Sequence, residues 1–122
     1  MQIEIKTLNH NKITAVFSKE VIMTDSQSAL DFIMSMQYET GTDRVAVNKA
    51  AISEQFFILS TGIAGEILQK FVNYHIKFAI YGDFTPYTSK ALKDFIYECN
   101  NGNDIFFVNT KEEAIQRLAK AV

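Results

Sequence analysis

The sequence predicts an α/β fold: an N-terminal β-hairpin, then alternating helices and strands building a mixed, mostly parallel five-stranded sheet with about four helices. Two observations carry that reading. The strand-like runs Val45–Asn48, Phe78–Gly82 and Ile105–Asn109, and the earlier Val16-Phe17-Ser18, each end in polar residues ahead of a helix signal. The intervening segments carry apolar residues at helical spacing, and strands alternating with such segments indicate crossover connections in a parallel sheet. Ligands of open α/β sheets bind outside the carboxyl ends of the strands, so any site is expected along that one border.

Each element has a local cause. Ile3 and Ile5, then Ile13, Ala15 and Phe17, alternate with polar residues on either side of Asn9-His10-Asn11-Lys12, which reads as an antiparallel hairpin with a four-residue polar turn. Asp25 or Ser26 can cap a helix bearing Leu30, Ile33 and Met34, and Gly41 supplies its left-handed stop. A buried strand follows from Arg44 to Asn48. Ser53 opens a second helical region whose apolar face is Ile63, Ile67, Leu68, Phe71 and Val72. Lys77 to Tyr81 is the next strand. Thr88 or Ser89 caps a third helix with Leu92, Phe95, Ile96 and Cys99 on one face, ending at Asn100-Asn101-Gly102. Asp104 to Val108 forms the last strand, and Thr110-Lys111-Glu112-Glu113 has capping-box spacing ahead of Ala114, Ile115, Leu118, Ala119 and Val122. With no linker or repeat, residues 1–122 read as one α/β domain.

Composition narrows the function classes. Hydrophobic residues make up 48% and charged residues 21% of the 122, as in an ordinary globular protein. A net charge of −2 offers no basic field for a phosphate backbone, so nucleic acid is not expected as a partner. The opening Met1–Lys6 alternates polar with apolar residues, unlike a signal peptide, and Phe56 to Leu68 is too short and too interrupted to span a bilayer; a cytoplasmic location with no membrane partner is expected. One cysteine, Cys99, excludes an internal disulfide.

Several chemistries lack their residues. His10 and His75 have no cysteine or second histidine at ligand spacing, so no metal is expected. Neither the dinucleotide nor the P-loop glycine pattern is present, and no cofactor is implied. Cys99 lies on an apolar helix face and reads as a packed small hydrophobe. Gly62 and Gly65 are explained by helix packing as readily as by a ligand.

A polar rim remains. Asn48, Lys49, Asp83, Thr85 and Asn109 follow three strands, and Thr110 begins a helix there, so helix amino termini and polar side chains could together hold a small anion. The competing reading is that every strand-to-helix loop needs caps and turn formers. Tyr81, Phe84 and Tyr87 flank Pro86, making one loop aromatic; it could line a pocket, form a partner patch or pack over the sheet edge. A phospho-receiver site needs an aspartate where this chain has Asn48.

The runs Tyr38–Gly41, Arg44–Lys49, Ile52–Phe57, Gly65–Phe71, Tyr87–Lys90 and Asp94–Cys99 resemble the bacterial domain-of-unknown-function family number 4180 over nearly the whole chain. That resemblance implies no activity. The hairpin with alternating helices, and the stretch Ser60–Gly65 leading to Lys77–Gly82, are similar to STAS domains, the sulfate-transporter and anti-anti-sigma-factor module. The resemblance implies a STAS-like fold and a serine or threonine phosphorylated by a partner kinase, the added charge breaking a partner interface. Ser60 and Thr61 occupy that place when the motif is aligned on Gly62, and Ser53 when it is aligned on the strand end. Leu59 stands where STAS regulators carry an aspartate before the phospho-serine.

Three function classes follow. The first is a non-enzymatic regulatory or interaction module that binds a protein partner around Ser53 to Ile67, with Phe56, Phe57, Ile58, Phe84 and Tyr87 as the contact surface and Ser53, Ser60 or Thr61 as the phosphorylated residue. The second is an anion sensor using Asn48, Lys49, Asp83, Thr85 and Asn109. The third is an enzyme with Asp83 as general base and Lys49 as its electrostatic partner, which requires a strongly raised Asp83 pKa. The hairpin also presents an edge for self-pairing as a homodimer.

Overall fold

In the computed structural model, which describes residues 1–122 throughout, a single five-stranded sheet runs in chain order. Strand β1 (Gln2–Leu8) pairs antiparallel with β2 (Asn11–Phe17), and β3 (Arg44–Asn48), β4 (Lys77–Tyr81) and β5 (Ile105–Val108) follow in parallel. Helices α1 (Ser26–Thr40), α2 (Ile63–Asn73) and α3 (Lys90–Asn100) connect the parallel strands, and α4 (Lys111–Lys120) follows the last. The predicted α/β class, mixed sheet and helix number are all present. No helix is long and apolar enough to cross a membrane.

Layering follows from the strand order. Successive parallel strands placed side by side, joined by right-handed crossovers, send every connecting helix to the same face. Alternation then splits the apolar side chains. Val45, Val47, Phe78, Ile80, Ile105 and Phe107 join the cluster under α1, α2 and α3, while Ala46, Ala79, Tyr81, Phe106 and Val108 join Ala114, Ile115 and Leu118 of α4 on the other face. Central strands buried on both faces explain why those runs are continuously apolar.

Caps set the helix ends. The Asp25 carboxylate accepts from Ser28 N at 2.8 Å and the Ser28 hydroxyl closes a reciprocal box. Gly41, at φ 71°, ends α1 as expected. Ser89, rather than Thr88, caps α3, and the Thr110 hydroxyl accepts from Glu113 N. The guanidinium of Arg44 reaches the carboxyl end of α4, donating to Leu118 O and, at 2.8 Å, to Ala121 O, where a cation opposes the helix dipole.

Two expectations are corrected. The hairpin turn has two residues, not four: Asn9 and His10 sit at φ 53° and 66°, the doubly left-handed pair that matches strand twist, so Asn11 and Lys12 extend β2. The region from Ser53 is not a continuous helix. Three short 3-10 turns, Lys49–Ala51, Glu54–Phe57 and Leu59–Thr61, precede α2. Ile22 N and Met23 N both donate to Ala51 O, and Ser53 N donates to Met23 O, so these backbone groups are engaged across the chain instead of along a helix.

At the end of α2, Ile76 N donates to Phe71 O and His75 N to Val72 O, a Schellman-type closure with His75 at φ 60°. A histidine held left-handed is strained by about 1–2 kcal/mol. Replacing His75 with glycine is expected to raise stability by about 0.5–1 kcal/mol, part of the relief being offset by the freer unfolded chain. Urea unfolding of the variant checks this, and a lower midpoint contradicts it.

Candidate functional site

The parallel register places Asn48, Tyr81 and Val108 at the same level, so the loops after β3, β4 and β5 converge on one border. Asn48 is buried there. Its Oδ1 accepts from Ser18 N at 2.8 Å and its Nδ2 donates to Ser18 O at 2.7 Å, joining the exit of β2 to that of β3. Both amide heavy atoms thus serve the backbone.

The other rim residues also engage one another. Lys49 Nζ donates to Asp83 O at 2.8 Å and lies 4.7 Å from the centre of the Tyr87 ring. Asp83 Oδ1 accepts from Thr85 N at 2.9 Å and from Thr85 Oγ1 at 2.6 Å, an Asx turn that closes the loop on itself. Those bonds hold the exposed Asp83 carboxyl below its ordinary pKa. A general base at neutral pH needs the opposite shift. The Tyr87 hydroxyl donates to the Glu54 carboxylate at 2.9 Å, and burial together with Glu54 pushes its pKa upward. Gly82, at φ 157°, lets this loop approach Lys49: an added Cβ would meet Lys49 Cβ at 2.8 Å. Asn109 stands apart, exposed beyond β5.

Beside the rim lies an aromatic cleft. Phe57 packs against Phe56 at 4.9 Å between ring centres, is stacked with Tyr87 at 5.0 Å, and sits 6.1 Å from Phe84. Phe56 and Phe57 are 1% and 3% exposed, so these two face the core and not a partner; their bulk anchors the 3-10 turns to the sheet. Ile58, the next residue, is 49% exposed. Together with Leu59 and Ser60 it forms one wall of a cleft of about 450 Å³, opposite Pro86, Tyr87 and the start of α3. Phe84 and Tyr87 are half-buried supports.

The three candidate hydroxyls differ in availability. Ser53 Oγ accepts from Gln55 N at 3.2 Å and caps a 3-10 turn. Thr61 Oγ1 lies 2.8 Å from Gln55 O and 2.9 Å from Ile58 O, to which it can donate, and accepts from Ile63 N. Ser60 is exposed at the lip of the cleft. Cys99 is half-buried on α3, and burial pushes its thiol up to about 11, far from a reactive thiolate.

A family model matches residues 8–118, and its description is Domain of unknown function (DUF4180). The chain belongs to this family. No curated protein matches it in sequence. A crystal structure from Thermotoga maritima, of a protein provisionally assigned as an anti-sigma factor antagonist, is similar at 11% identity and a TM-score of 0.46, over 97% of this chain and 95% of that one.

In this DUF4180 chain, sequence reasoning located the border but missed residues that shape it. Ser18 is the partner of Asn48, 30 positions away, and no local pattern marks that pairing. Glu54 receives the Tyr87 hydroxyl across 33 positions, although an acid beside a helix-start serine was visible. The loop around Pro86, read from the sequence as a pocket lining, does form one wall of the cleft; Leu59 on the other wall carried no local signal of that role.

Proposed function

We propose that this DUF4180 chain is a non-enzymatic regulatory module that docks a protein partner in the cleft between Ile58–Ser60 and Pro86–Tyr87, with Ser60 as the phosphorylated residue that releases it. The observation that carries this reading is the pairing of an exposed apolar side chain, Ile58, with an exposed hydroxyl, Ser60, on one wall of an aromatic-backed cleft. Interface centres are built from apolar and aromatic anchors of this kind. The anion-sensor reading loses support because Asn48, Lys49, Asp83 and Thr85 bond one another or the backbone. The enzyme reading loses support because Asp83 titrates in the wrong direction.

A phosphate on Ser60 brings roughly −1.5 to −2 charges to the edge of an apolar wall and opposes burial of that wall. Thr61 and Ser53 fit this role less well, because their hydroxyls hold the 3-10 turns in place. Affinity capture from the native host with Ser60→Asp and Ser60→Ala tests the reading. Ser60→Asp is expected to reduce recovery of a specific partner about tenfold, a change of roughly 1.4 kcal/mol, while Ser60→Ala retains it. Both variants should stay within about 0.5 kcal/mol of the parent in stability. Equal recovery with all three proteins contradicts the proposal.

A further inference from the structure

The two edges of the sheet are built differently. At the β5 edge, the Asn100 side chain donates to Phe107 O at 3.0 Å and accepts from Phe107 N at 2.8 Å, so an amide from α3 occupies the place of a further strand. β5 is also only four residues long. Short, covered edges of this sort prevent strand addition. β1 has seven residues, and no loop or side-chain group bonds the backbone of Ile3, Ile5 or Thr7.

The hairpin fixes which groups face outward. Its two-residue left-handed turn makes Leu8 and Asn11 a hydrogen-bonded pair, and the antiparallel alternation then directs the backbone groups of Gln2, Glu4, Lys6 and Leu8 toward β2. Those of Ile3, Ile5 and Thr7 point away from the sheet. On the face of the helical layer, Ile3 and Ile5 lie directly across from Val16 and Thr14. Both partners are fully buried, whereas Ile3 is 41% and Ile5 50% exposed, so the apolar face of the sheet continues past the edge of the helix layer.

We propose that β1 pairs antiparallel with β1 of a second copy of this chain about a two-fold axis at Ile5, giving one continuous sheet through a homodimer. Charge complementarity selects this register. The outward backbone groups can pair only odd-numbered with odd-numbered residues, which restricts sliding to steps that carry each residue past two positions of the other strand. With Ile5 opposite Ile5, Ile3 faces Thr7 and each Glu4 faces Lys6 of the other copy at a closely spaced, non-hydrogen-bonded position. A slide one way sets Glu4 against Glu4 and the other way sets Lys6 against Lys6, and like charges directly opposite are destabilising. The chosen register also overlaps all of Gln2–Leu8. A lone lysine on an edge strand discourages pairing. Here Glu4, now held by Lys6 at 3.3 Å and Lys111 at 2.8 Å, supplies that lysine with a counter-charge from the other copy.

Sedimentation equilibrium of the full chain, from about 1 to 200 µM, tests the pairing with three variants. Wild type is expected to approach twice the 13.8 kDa chain mass. Lys6→Glu, which sets acid against acid, should weaken self-association at least tenfold, and the double variant Glu4→Lys/Lys6→Glu should restore it. Ile5→Pro removes an N–H directed only outward, so it should abolish the dimer while leaving circular dichroism unchanged. In the wild-type dimer the amides of Ile3, Ile5 and Thr7 should exchange as slowly as those of Glu4 and Lys6, and in the Ile5→Pro monomer the Ile3 and Thr7 amides should exchange fast. A wild type that remains monomeric across the range overturns the proposal, as does a dimer indifferent to Lys6→Glu and Ile5→Pro.

Discussion

Replacing Phe107 with alanine is expected to lower the unfolding free energy by about 3–5 kcal/mol, the range for removing a buried aromatic ring. Phe107 is 4% exposed, and its ring centre lies 6.3 Å from that of Phe56, 5.7 Å from Phe84 and 6.1 Å from Phe95. It is therefore where β5, the 3-10 turns, the aromatic loop and α3 meet. A cavity at this position removes support from one wall of the cleft as well as from the core, because Phe84 and Phe56 both lose a packing partner. The backbone bonds of Phe107 to Asn100 survive the substitution, so the effect is one of packing and not of edge closure. Urea unfolding with an unchanged m-value measures it. A loss under about 1 kcal/mol would mean that the four aromatic rings do not form one packed unit.

Asn48→Ala is expected to cost about 2–4 kcal/mol. The substitution strands two buried backbone groups, Ser18 N–H and Ser18 C=O, which bond the Asn48 amide, and an unsatisfied buried group costs about 1–3 kcal/mol. Asn48→Asp separates donor from acceptor. The carboxylate can still accept from Ser18 N but cannot donate to Ser18 O, and burial opposes its charge, so its folded pKa is raised above the unfolded value. Such a group is most stabilising when protonated. This variant should therefore recover stability as pH falls and lose it as pH rises through that raised pKa. A ligand-binding Asn48 would instead tolerate alanine with little loss of stability.

How far the molecule was legible depended on whether each feature was local. The parallel arrangement was readable because strands buried on both faces are continuously apolar, as in Phe78–Tyr81, and because their exits carry polar caps. Helices α3 and α4 were readable from Ser89 and Thr110 with the apolar spacing behind them. The segment Ser53–Thr61 was not. Phe56, Phe57, Ile58 and Leu59 are consecutive apolar residues without helical period, and the backbone bonds that tie Ala51 and Ser53, at the start of the segment, to Ile22 and Met23 span 28 to 30 positions. The two-residue hairpin turn was hidden because Asn9 and His10 adopt left-handed geometry without a glycine.

The border of strand exits was anticipated, yet its chemistry was not. A rim of Asn, Lys, Asp and Thr reads equally as a binding site or as a set of caps. Only the pairing of Lys49 with Asp83 O, of Asp83 with Thr85 and of Asn48 with Ser18 distinguishes the two. Phe56 and Phe57 were expected in the partner-contact surface around Ser53 to Ile67. They are core, and Ile58 alone of the three projects, as the turn after Phe57 rotates it outward.

Recognition at the cleft and a structural role for the polar rim are separated directly by one comparison. Affinity capture from the native host is run in parallel with wild type, Ile58→Asp and Asp83→Asn, each shown by thermal unfolding to be folded. Ile58→Asp should lose a specific partner by about tenfold or more, since truncating or charging an interface anchor costs at least 1–2 kcal/mol, whereas Asp83→Asn should keep it. Retention by Ile58→Asp with loss by Asp83→Asn would place recognition on the rim and contradict docking at the cleft.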